Sequence, residues 1–143
     1  MRPDQKKFLQ NRLRKASAEQ PEIMRLKQLL LRLGGEYLVA PTSFDFEIPG
    51  LLERGLVMCG QIKLKKMRSN SCHQNASTVW QSQVPRLIAI GTGYALSEDG
   101  LWRQHSWGVL RDGLLETTES RVKYFGLLLQ GLEAQAFAER MLS

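Results

Sequence analysis

The apolar and polar positions divide the chain into stretches with different periods. Up to residue 33 the apolar side chains recur at helical spacing. Phe8, Leu9, Leu13 and Ala16 share one side of residues 4–16, with lysines and arginines opposite, and Leu26, Leu29, Leu30 and Leu33 form a second stripe. Ser17 to Pro21 reads as a break and restart. Ser17 and Gln20 have capping-box spacing, Pro21 suits a first helical turn, and Gly34–Gly35 ends the second helix. The two helices are expected as a hairpin packed on the body or as a semi-detached arm. Beyond Pro85 the period becomes two. "RLIAIGTGYAL", "LWRQHSWGVL" and "LLETT" read as strands and "SEDG" and "RDG" as their turns, an antiparallel meander.

The remaining stretches are less regular. "EYLVAPTSFDFEIPG" is turn-rich and is expected to cross the core surface with little secondary structure. "GLVMCGQIKLKKMR" reads as a short strand or an irregular run, with Cys59 among apolar neighbours as a core residue. Lys63 and Lys65 alternate with Ile62 and Leu64, as on a strand with one wet face. Residues 71 to about 82 predict a short helix, with Ser71 and Gln74 at capping-box spacing, Val79 and Trp80 as anchors, and Pro85 closing the segment. Residues 121–142 return to helical character, with Tyr124 and Phe125 packing against the sheet. Helices, then strands, then a helix make the fold class α+β. "GTG" at 91–93 has neither a following helix nor a Lys-Ser/Thr pair, so it is no phosphate loop; it lets a sheet bend or a neighbour approach closely.

Composition narrows the function classes. The 143 residues, 43% hydrophobic and 24% charged, suit one domain with a real core. No apolar run is long enough for a bilayer and the N-terminus lacks a secretory apolar core, so a cytoplasmic location without a membrane partner is expected. Cys59 and Cys72 are the two cysteines and belong to no C-x-x-C pair, which argues against a disulfide framework and a structural zinc site. Residues 1–34 hold nine Lys/Arg against Asp4, Glu19 and Glu22, and so account for the whole net charge of +6. This arm is either a solvated helix face or a contact for nucleic acid or an acidic partner.

The candidate chemistry lies in "SNSCHQNAS", residues 69–77. With Ser71 as cap, Cys72 falls in a first helical turn, where free N–H groups and the helix dipole stabilise a thiolate. Lys65, Lys66 and Arg68 lie just upstream. His73 points about 100° away from Cys72 on a helix and reads as a surface or substrate-edge group. His105, the other histidine, lies in the second strand on one face with Trp107. A hairpin turning at 111–113 brings Glu116 to the same or an adjacent rung, with Val109 opposite about Leu115; Glu119 and Asp112 are the alternative acids. A thiol, an imidazole and a carboxylate together suit acyl transfer. The Cys72 N–H is a candidate oxyanion donor, and Asn70, Gln61 or Gln104 a second. Adjacent ligands make a poor metal site, and no metal or cofactor is expected.

These residues resemble the papain-like cysteine fold, and within it the transglutaminase-like branch. The likeness rests on the chain order Cys, His, acid, on His105-Ser106-Trp107 as a His-x-Trp, and on Glu116-Thr117-Thr118 as an acid followed by small polar residues. It covers roughly residues 60–125. That branch usually has Asp at the third position and Trp after the nucleophile, where this chain has Glu116 and His73. The resemblance implies Cys72 as nucleophile, His105 as base and Glu116 as orienting acid, with a protein, peptide or small amide as substrate. It also implies a scaffold of a nucleophile-bearing helix on a small antiparallel sheet. The alternative is a non-catalytic scaffold of that fold using residues 1–34 to contact nucleic acid or an acidic protein.

Overall fold

The computed structural model describes all 143 residues. The meander forms where the two-residue period predicts it. β4 (Leu87–Leu96) turns at Ser97–Gly100 into β5 (Leu101–Leu110), which turns at Arg111–Asp112 into β6 (Gly113–Glu116). The β5–β6 register is Val109 opposite Leu114, one residue from the expected pairing. The stretch read as entirely helical divides instead. β7 (Lys123–Leu129) inserts beside β4, and only α5 (Gly131–Leu142) is helix. Phe125, Leu127 and Leu129 enter the main core while Tyr124 enters a cluster on the other face. A strand buried on both faces shows a continuous apolar run, which periodicity cannot tell from a buried helix.

The sheet curls because of one short link. Its order is β2-β7-β4-β5-β6-β3, so β2 (Leu56–Met58) and β3 (Gln61–Leu64) are its two edges. They are consecutive in the chain, with only Cys59 and Gly60 between them, and two residues span too little distance to cross a flat six-strand sheet. The edges must come together. Cys59 is consequently exposed in the closing turn and is not a core residue; in β2 only Met58 is buried. The inner face of the curl packs Met58, Ala95, Trp107, Leu114 and Tyr124. A Cβ at Gly91 would overlap the Trp107 indole, and one at Gly126 would lie 2.7 Å from the same ring. The glycine of "GTG" thus makes room for a tryptophan.

Helices cover the outer face. α1 (Pro3–Glu19) runs through Ser17 without a cap there, and the break comes at Gln20. That residue is buried, its carboxamide donating to the Asp45 carbonyl (2.8 Å) and accepting from the Asp45 N–H (2.9 Å). α2 (Ile23–Leu33) places Ile23, Leu26 and Leu30 in the main core beside Ile90, Tyr94 and Trp102, so the helical pair is packed on the body. The 35–54 region holds more structure than expected: β1 (Tyr37–Leu38) and α3 (Ile48–Arg54). "IPG" looks like a stop, but Pro49 sits in the first turn of α3, where its missing N–H costs nothing. No helix is long and apolar enough to cross a membrane.

The tight seat of Trp107 gives a stability test. Gly91→Ala should destabilise the fold by about 1–3 kcal/mol through overpacking. The check is a lower urea midpoint at unchanged m-value.

Candidate active site

A gap in the sheet creates the site. On the side away from β4, β5 pairs with β1 only at Leu101 and Trp102 and with β6 only at Gly108–Leu110. Residues 103–107 have no strand beside them there. α4 (Cys72–Gln81) begins at this opening, and its first two residues straddle the bare edge. Cys72 shares the cleft with His105, on the inner face of β5, and His73 bonds Ser106, on the outer face, with Nδ1 and Oγ 2.5 Å apart. The expectation that the two side chains diverge is met. Of the two positions expected for His73, surface or substrate edge, it takes the second: it is half-buried at the edge of the cleft that holds Cys72, and edge-on to Phe137 at 6.2 Å between ring centroids.

The start of α4 is held differently from the capping box. Ser71 occupies the N-cap position, but its hydroxyl donates back to the Ser69 carbonyl (3.4 Å). The preceding turn is fastened from within the helix, where the buried Asn75 carboxamide donates to the Arg68 carbonyl (2.7 Å). Asn70 adopts a left-handed conformation at φ 57° in that turn. The Cys72 N–H has no acceptor in the protein, so it is free to serve a ligand oxygen.

The structure brings Cys72, His105 and Glu116 together. His105 Nε2 is 2.8 Å from Glu116 Oε1, with both side chains almost wholly buried. Three further donors complete the carboxylate. The Tyr124 hydroxyl donates to Oε1 (2.8 Å), and the Thr118 N–H and hydroxyl donate to Oε2 (2.9 and 3.0 Å). Burial pushes the Glu116 carboxyl up, but the histidine and the other donors override it and hold the group at about 2. With Nε2 on the carboxylate, Nδ1 of His105 is the nitrogen left for the thiol. Burial opposes the imidazolium, yet the Cys72 and Glu116 partners raise His105 above its ordinary value. Burial likewise opposes the thiolate, and His105 together with the Ser106 N–H lowers Cys72.

Other candidates lie elsewhere. Asp112 pairs with Arg86 (3.3 Å) at the far hairpin, and Glu119 is an exposed residue of the cleft wall. Gln61 is at the opposite end of the sheet, opposite Gly113, so it is no oxyanion donor. Asn70 and Gln104 do line the cleft at Cys72, a cavity of about 680 Å³ lined almost entirely by residues with polar or charged side chains. Tyr124 was expected only to pack, and its hydroxyl's role had no local signal. No three His, Cys, Asp or Glu side chains converge as metal ligands would.

The lowered thiol can be measured directly. In a Cys59→Ser background, thiolate absorbance should titrate below the ordinary cysteine value, and His105→Ala should move the midpoint upward because only the Ser106 N–H then opposes burial. Compared with protein-family models, curated proteins and solved structures, the chain matches none of them.

Proposed function

We propose that the protein is a thiol-dependent acyl-transfer enzyme or amidohydrolase acting through Cys72, His105 and Glu116. The observation that carries this reading is the buried 2.8 Å contact between His105 and Glu116 beside a thiol at a helix start. The order Cys, His, acid and its resemblance to the transglutaminase-like branch of the papain-like fold support it.

The chemistry follows from the partners. His105 Nδ1 takes the thiol proton, and Glu116 fixes the tautomer and balances the imidazolium. The Cys72 sulfur attacks the acyl carbon of an amide. The carbonyl π electrons move to oxygen, and the Cys72 N–H meets the resulting oxyanion with Asn70 or Gln104 as second donor. Collapse re-forms the carbonyl and breaks the C–N bond, and the imidazolium delivers its proton to the leaving amine. Water or an acceptor amine then attacks the thioester, giving its proton to His105, and the thiol is released. The lowered thiol and raised imidazole bring the two titrations toward each other and enlarge the thiolate–imidazolium fraction near neutral pH.

p-Nitrophenyl acetate should give a stoichiometric nitrophenolate burst that labels Cys72 and spares Cys59. His105→Ala should slow the burst by about 10²–10⁴-fold. Labelling of Cys59 at an equal rate would sink this reading.

A second reading concerns α1. Lys6, Lys7, Arg14 and Lys15 are exposed on it, and none has a carboxylate within ion-pair distance. Such a face suits an anionic partner, nucleic acid or acidic protein. Retention on a polyanion should fall steeply with salt and be lost when these four residues are changed to Glu. Lack of retention at low salt would exclude it.

A further inference from the structure

A second polar chain runs under α4 on the outer face of the sheet. The Thr92 hydroxyl donates to Glu47 Oε1 (3.3 Å), Thr92 Oγ1 and Ser106 Oγ are 2.8 Å apart, and Ser106 Oγ is 2.5 Å from His73 Nδ1. Thr92 and Ser106 are fully buried, so no water competes along the middle of the chain. Each hydroxyl has one proton, which fixes the direction of every bond. With Glu47 ionised, Thr92 must donate to the carboxylate, so its oxygen accepts from Ser106. The Ser106 oxygen then accepts from His73, whose Nδ1 must carry the ring proton. The other ring nitrogen, Nε2, is left with a lone pair and no partner in the protein, on a residue that lines the cleft beside Cys72.

We propose that the Glu47–Thr92–Ser106 chain holds His73 as its Nδ1–H tautomer, so that Nε2 accepts an N–H of the substrate in the Cys72 cleft and selects an amide over the corresponding ester. The substrate half of this proposal rests on the acyl-transfer reading above; the tautomer half does not. His73 is thereby a specificity-determining residue, and Glu47, Thr92 and Ser106 are positioning residues. The groups around His73 suit the task. Burial and the neighbouring His105 charge lower its pKa, with Asp45 opposing, so the ring stays neutral as an acceptor must. The Phe137 ring stands edge-on to it.

The arrangement carries a pH dependence. Burial, then the charge of Asp45, raise Glu47 to about 7, against the Thr92 hydrogen bond and Arg140. Asp45 is itself held by the Tyr94 hydroxyl (2.9 Å) and the Gln104 carboxamide (3.2 Å), and the Arg54–Glu133 ion pair and Glu53 line the cavity onto which Glu47 opens. Above this midpoint Glu47 is ionised and the chain runs as described. Below it the carboxyl proton can donate to Thr92, each hydroxyl reverses, and Ser106 donates to Nδ1, which moves the ring proton to Nε2.

The two histidines of the chain make the test simple. Long-range ¹H–¹⁵N spectra, assigned with His105→Ala, report the tautomer without turnover. Well above pH 7 the His73 signals should show protonated Nδ1, and they should shift to protonated Nε2 in Thr92→Val and in Ser106→Ala. Protonated Nε2 in the wild type at that pH, or unchanged signals in both folded variants, overturns the proposal. In acylation of Cys72, Thr92→Val should lower the rate with an amide about tenfold relative to the matched ester, the worth of one hydrogen bond. An unchanged amide-to-ester ratio overturns the substrate half. An inert Cys72 with the tautomer pattern intact defeats the acyl-transfer reading and the amide selectivity that rests on it, and leaves the tautomer assignment supported.

Discussion

A carboxylate removed from water has to be replaced in its hydration shell by protein donors, or it takes up a proton. Glu116 meets this demand with four donors drawn from three places: the His105 ring on β5, the Tyr124 hydroxyl on β7, and the Thr118 N–H and hydroxyl two residues on. Each donor fixes something else. Tyr124 ties β7, near one edge of the sheet, to the carboxylate at the end of β6, near the other, and so braces the curl from inside. Thr118 sets the path of the chain as it leaves β6. His105 is left with one ring nitrogen, aimed at the helix start. Removing one partner of such a group leaves the others facing an unsatisfied site, which costs more than the pair is worth.

The open edge of β5 does the rest. A strand's side chains alternate between faces, and a helix turns by about 100° per residue. Where a helix begins against an unpaired strand edge, two consecutive helical residues can therefore reach opposite faces of the sheet. Cys72 reaches the inner face at His105 and His73 the outer face at Ser106. The adjacent Cys72 and His73 are thus divided between two hydrogen-bond systems separated by the backbone of one strand. Glu116 anchors the inner system and Glu47 the outer one.

What was legible in the sequence follows from how local its causes are. β4, β5 and β6 are set by alternation and by turn residues a few positions away, and His105 and Glu116, eleven positions apart, could be brought near each other by counting across one hairpin. The start of α4 was legible at Ser71, although the capping box that pointed to it does not form. β7 was not, because burial on both faces erased the alternation. α3 was not, because Pro49 and Gly50 are read as stops although Pro is at home in a first turn. Cys59 misled because apolar neighbours in a row say little about an edge strand. The Glu47–Thr92 contact spans 45 positions, and only the packing of α3 on the sheet creates it; no local pattern announces such a pair.

Two histidines within one cleft cannot both be cations at low cost, since burial magnifies their repulsion. The structure resolves the conflict by giving them opposite surroundings. His105 touches a carboxylate and a thiol, both of which favour its charged form, and its pKa is raised. His73 touches a hydroxyl, and burial and the His105 charge lower it. The Glu47 carboxylate stands two hydroxyls away, close enough to order the protons and too far to offer direct contact to a cation, and the opposing charge of Asp45 is outweighed. An Asp or Glu at position 106 would bind the imidazolium form of His73 and set it against His105. A serine there passes on the direction of the hydrogen bonds while keeping the charge out, as the proposed roles of one ring as base and its neighbour as neutral acceptor require.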